Sequence, residues 1–219
     1  MRGYRMLGTM LTIAAMSFAF AHSVCAESLD ASLSNIEDRY ASAAIESDEK
    51  EKRRNLTKLL DDVRGLHASY PDRPEAAAWH GIVAQSYMDV RPNLSIAKEA
   101  RDALLDAESI DPLVLDGQVY AHLGALYSRT RSGFGGFGSS TRAIGYLWKA
   151  ITVDPQGIEA NYLYAELLYK EKNYTAARDA LVKAAEAPVR PDHSRIDSAR
   201  KMEVRDLLAA VQRKLDDQG

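Results

Sequence analysis

Three columns of small and apolar residues recur at fixed offsets along this chain: Ala100, Leu104 and Ala107, then Ala143, Leu147 and Ala150, then Ala177, Leu181 and Ala184. The columns move together, by 43 positions between the first and second sets and by 34 between the second and third. Residues three and four apart share one face of a helix, so each set marks a helix with a thin stripe suited to close packing. Recurrence at ~34 residues marks a solenoid, built of units that cannot bury their apolar faces alone and are stabilised by stacking. Asp111-Pro112 and Asp154-Pro155 close the first two units at equivalent places, where proline ends a helix.

Each unit also has a preceding helix with its own pattern of small and large residues. These are Trp79, Ala84 and Tyr87 in the first, Tyr120, Leu123, Gly124 and Tyr127 in the second, and Tyr164, Ala165 and Leu168 in the third. Small residues let paired helices approach, and large ones fill the space beside them. The combined pattern resembles the tetratricopeptide-repeat (TPR) family, most fully in Tyr120, Leu123, Gly124, Tyr127, Ala143, Leu147, Ala150 and Pro155, and it spans about Pro74 to Pro188. The resemblance implies an all-α chain, an α-solenoid of stacked antiparallel helix pairs. Around three repeats at 74–191, residues 27–73 read as a degenerate pair or cap, and 192–219 as a C-terminal capping helix.

Residues 1–26 read as a signal peptide. Arg2 and Arg5 precede an apolar stretch from Met6 to Ala21, and Val24-Cys25-Ala26 places small residues at a cut expected after Ala26. The apolar stretch is shorter than the roughly 20 residues a membrane-spanning helix needs, so no integral membrane segment is expected after cleavage. Losing Arg2 and Arg5 would take the net charge from -3 to -5, a balance that offers no footprint for nucleic acid. Cys25 is the single cysteine, so the mature chain would have neither disulfides nor thiolate metal sites. A periplasmic or secreted location is expected.

The second unit carries an insert. Tyr127 to Ala143 spans 16 positions where Leu168 to Ala177 spans 9, and the surplus falls in the glycine-rich stretch 132–141. Gly133, Gly135 and Gly138 match G-x-G-x-x-G, but a dinucleotide fingerprint follows a strand and this one follows a helix. Phe134 and Phe137 are the only phenylalanines beyond the leader. They either contact a partner from the loop or pack back onto the array. The run Gly135-Gly136-Phe137-Gly138, with Asn161-Tyr162-Leu163-Tyr164-Ala165 and Pro188-Val189-Arg190-Pro191-Asp192, resembles exported bacterial TPR proteins. It is similar, more distantly, to the T component of TRAP-type solute transporters, which implies a periplasmic scaffold.

No motif for catalysis, cofactor or metal binding is present: the histidines lack ligand spacing, and no G-x-S-x-G elbow occurs. His67, His80, His122 and His193 are expected to be scattered, on helix surfaces or partly packed. In stacked pairs the first helix of each unit lines the concave face. Counting along those helices places Gln85, Asp89, Ser128, Arg129, Tyr162, Glu166, Tyr169 and Lys170 there. Tyrosine with mixed charge suits either protein recognition or an ordinary wet face. The expected function is a non-enzymatic scaffold that binds a protein or peptide in its concave groove. The alternative is an accessory of a TRAP-type system that binds a small ligand or a substrate-binding protein.

Overall fold

The computed structural model describes residues 13–218, with side chains from Leu29 onward. Contacts group the chain into a first unit ending at Asn35 and a second beginning at Ile36. Within the described residues the first is helical throughout, and the second holds every feature considered below. The expected leader lies outside the residues whose side chains are described. No helix among the described residues is long and apolar enough to cross a membrane.

Nine α-helices and no strand occur among the described residues: α1 (Ile13–Ala44), α2 (Glu49–Ser69), α3 (Pro74–Val90), α4 (Leu94–Ile110), α5 (Gln118–Arg129), α6 (Ser140–Val153), α7 (Ile158–Lys170), α8 (Tyr174–Glu186) and α9 (Ser194–Asp216). Short polar side chains start several of them. Asp48, Asn93, Ser139 and Asn173 each accept a backbone N–H from the first turn of the helix that follows. Helices α3 and α4, α5 and α6, and α7 and α8 form antiparallel pairs that stack in order, with α9 packed on α8. The fold is an all-α, TPR-like solenoid.

The nine column residues are 0–2% exposed, so the stripes read from the sequence face into the pairs. Close approach is enforced from the facing helix by glycine. A Cβ on Gly81 would lie 2.5 Å from Leu104 Cγ, and one on Gly124 would lie 2.6 Å from Leu147 Cγ. Gly81 and Gly124 are 43 apart, like the columns they meet, so Gly81 and not Ala84 is the first unit's counterpart of Gly124. Gly124→Ala is expected to destabilise by about 1–3 kcal/mol through overpacking, although alanine is the better helix former. At Gly145, in α6, a Cβ meets nothing within 4 Å, so Gly145→Ala should stabilise by up to ~1 kcal/mol. Urea unfolding of the two variants should therefore shift in opposite directions.

The structure also locates the residues that stretch the spacing from 34 to 43. Loop 130–139 accounts for seven when set against 171–173, and segment 111–117 for three more against 154–157; α5 is one residue shorter than α7. In the shorter segment Leu115, Asp116 and Gly117 are all left-handed, at φ 52°, 55° and 74°. Two non-glycine residues in that region are costly unless their surroundings hold them. Here the Asp111 carboxylate accepts the Leu113 N–H at 2.9 Å, and Arg190 reaches Asp116 at 3.6 Å.

Candidate functional site

The first helix of each pair turns one polar stripe inward. Stepping by four or seven gives Gln85 and Asp89 on α3, His122 and Arg129 on α5, and Glu159 and Glu166 on α7. Helix α9 adds Arg200 and Glu203, α2 adds Lys52, and the end of α1 adds Tyr40. All of these except Glu159, which sits behind the wall, line one cavity of about 210 Å³.

Two guanidinium groups organise its wall. Arg200 donates Nε–H and Nη2–H to Glu159 at 2.6 and 2.9 Å, bonds Glu203 through Nη1, and lies over the Tyr162 ring at 4.6 Å. Arg129 bonds Glu166 through Nη2 and reaches Asp89 at 3.4 Å. Between the two groups lies His122, 4% exposed. With its amide turned to suit its neighbours, Gln85 donates to the His122 carbonyl at 3.3 Å and to Nδ1 at 3.2 Å, and accepts from Arg129 at 3.2 Å. His122 Nε2–H then faces Glu159 at 3.4 Å, which fixes the neutral tautomer.

Burial and ion pairing decide the protonation states. Burial pushes the His122 imidazole down to about 4, against the pull of Glu159. At Glu159 burial opposes the charge, but Arg200, His122 and Arg129 together hold the carboxyl below its ordinary value. At Asp89 and Glu203 the balance reverses, and burial raises both carboxyls despite their arginines. Single pairing explains the difference, since Glu159 receives a two-pronged bond and a histidine N–H while Glu203 has one bond and Asp89 one long contact.

Of the residues expected on the concave face, Gln85, Asp89, Arg129, Tyr162 and Glu166 line the main cavity. Ser128 and Lys170, with Arg129 and Glu166, line a neighbouring hollow of about 160 Å³, where Lys170 Nζ bonds the Ser128 carbonyl. Tyr169 lines neither. Its ring leans on Tyr174 of α8, 5.5 Å between centroids, because position 169 lies at the edge of the inward stripe. Tyr162 and Gln85 are buried, so they shape the wall rather than offer free surface.

Several contributors were not singled out in the sequence. Seven steps back from Arg129 and Glu166 reach His122 and Glu159, so the same face count could have found them. Arg200, Glu203, Lys52 and Tyr40 sit on flanking helices whose charges read as solvated. The histidines are also less scattered than expected. His122 is buried, and His67 Nδ1 lies 3.0 Å from His80 Nδ1, whose Nε2–H donates to Glu99 at 2.8 Å. Among the described residues no group of three or more His, Cys, Asp or Glu could hold a metal ion.

Two further features frame the cavity. The ends of the array meet: His193 Nδ1 is 2.5 Å from the Glu37 carboxylate, and Arg195 donates to Asp38 at 3.1 Å and to Ser42 Oγ at 2.9 Å. The glycine-rich loop is built, not slack. A Cβ at Gly136 would lie 2.2 Å from the Arg131 carbonyl, and one at Gly138 would lie 1.9 Å from that of Thr130. Phe137 packs edge-on against Tyr127 at 5.6 Å under the Arg101 guanidinium, whereas Phe134 is 97% exposed. The two phenylalanines thus divide the readings left open, one packed back and one held out.

No protein-family profile matches the chain, and no curated protein matches it. Among solved structures seven chains match. One, described as "Functional Characterization of Pseudomonas Aeruginosa pilF", shares 19% identity over 85% of this chain and 93% of that one, with a TM-score of 0.34. The fold assignment rests on the helix pairing itself, and none of these comparisons supports the similarity to the TRAP T component.

Proposed function

We propose that this chain is an exported scaffold that holds a segment of a protein partner at the polar cavity, with Phe134 as a second contact. The observation that carries this reading is the convergence of the inward stripes of α3, α5, α7 and α9 on one lined cavity. Stacked helix pairs offer such inner surfaces for recognition. At about 210 Å³ the cavity is below the roughly 300–1,000 Å³ of drug-sized ligand sites, and it suits one inserted side chain. Phe134 adds an exposed aromatic on a loop braced by glycine contacts, so little ordering entropy is lost when a partner covers it.

The test places a photo-crosslinking phenylalanine at Ala44, on the cavity wall, or at Phe134, in cells that express the full chain. One and the same protein should be trapped from both positions. A cell that yields adducts from neither position, or from a control at exposed Met202 equally well, sinks the reading. The location rests on the leader, and sequencing the extracted protein should give Glu27-Ser28-Leu29 as its first residues.

A further inference from the structure

We propose that the cavity takes an alkylammonium group, the side chain of a lysine on the partner segment, with Asp89 and Glu203 as its charge partners. The inference rests on the functional reading above and adds the chemistry of what enters.

It starts from the charge on the wall. Asp89, Arg129 and Glu166 form one acid–arginine–acid group, and Glu159, Arg200 and Glu203 form another. Each carries three charges that leave one negative unbalanced. Glu49 and Lys52, one turn apart on α2, cancel. Two negative charges therefore remain around a partly enclosed space.

Within each group the deficit falls on a particular carboxylate. Glu159 and Glu166 hold the close arginine contacts, while Asp89 is reached only at 3.4 Å and Glu203 by a single nitrogen. Both face the cavity, and burial raises both carboxyls, as expected where a countercharge is lacking. Neither guanidinium can repel an incoming cation strongly, since each is already held between two acids. Tyr40 and Tyr162 supply ring surface along which an apolar stem can lie while its head stays on the carboxylates. An acidic segment fails the same test, because Lys52 is the only cation of the wall without an ion pair closer than 4 Å, and it faces two unsatisfied acids.

The experiment is a titration followed by NMR, using the full chain at low salt with three capped probes: Gly-Lys-Gly, the same peptide acetylated on the lysine side chain, and Gly-Glu-Gly. The lysine probe should bind and perturb signals of Tyr40, Tyr162 and His122, and the other two should not. Asp89→Asn with Glu203→Gln should weaken it about tenfold, the loss of one charge-assisted contact. The double variant should melt no lower than wild type, since it removes charges that burial disfavours. Glu203→Gln alone serves if the double variant fails to fold. Equal binding of the acetylated probe, or no binding of the lysine probe, overturns the proposal. Adducts at Ala44 with no lysine binding would overturn the ammonium alone and leave the scaffold standing.

Discussion

Replacing Arg200 by alanine should lower the stability of the folded chain by about 3–5 kcal/mol, the cost of leaving a buried charge without its partner. The side chains of Arg200 and Glu159 are 15% and 14% exposed, so water cannot replace the lost contact. Glu203 would be stranded with Glu159, and the stem that covers the Tyr162 ring would go too. A surface ion pair would lose at most about 1 kcal/mol, which separates the two cases clearly. Urea unfolding measures the loss, and an Arg200→Met, Glu159→Gln double variant should recover much of it because no lone charge remains. A drop of under about 1 kcal/mol for the alanine variant would mean the network is wetter than its geometry indicates.

Acid should unfold the chain earlier than its net charge suggests, and the sign follows from the histidines. An imidazole whose folded value is pushed down to about 4 from 6.5 takes its proton more readily when unfolded, so folding loses free energy as pH falls through that interval. For His122 the whole interval amounts to about 3 kcal/mol at 1.36 kcal/mol per unit. His67, lowered by burial and by His80, acts in the same direction. Glu159, held below its ordinary value of 4.5, adds its own loss only at more acid pH. Asp89 and Glu203 oppose this, because raised carboxyls regain stability when protonated. The cleanest window therefore lies from about pH 6.5 to about pH 5, where the imidazoles titrate and most carboxyls do not. Melting temperature should fall across it, and His122→Gln should flatten the slope. An unchanged slope would show that His122 is not the responsible group.

The fold was legible because its signal is repeated. Alanine at 100, 143 and 177 is uninformative alone, but three columns shifting together leave few arrangements other than paired helices, and all nine residues are buried. Capping was partly legible too: Ser139 was among the expected caps of α6, whereas Asp48 starts α2 three residues before the expected Lys52. The site was legible on the repeats and obscure elsewhere. Gln85, Asp89, Arg129, Tyr162 and Glu166 followed from counting along a helix face, while Arg200 and Glu203 lie on a terminal helix whose charges look like any solvated stripe. Nothing local in the sequence distinguishes an arginine that meets water from one that meets a glutamate 41 residues away, because that pairing exists only after stacking. The insert misled in a different way. Glycine there reads as freedom, yet at 136 and 138 it is required by backbone that passes too near for any side chain.

The contacts of Glu37 with His193 and of Asp38 and Ser42 with Arg195 alter what kind of polymer this is. An open row of repeats behaves as a one-dimensional chain whose outermost members loosen first and whose energies add neighbour by neighbour. Joining its two extremities removes the free ends, so neither can peel away without breaking bonds to the other. Hydrogen exchange in α2 and in α9 should accordingly respond together to a substitution at either extremity, the behaviour of a closed circuit and not of a frayed rope.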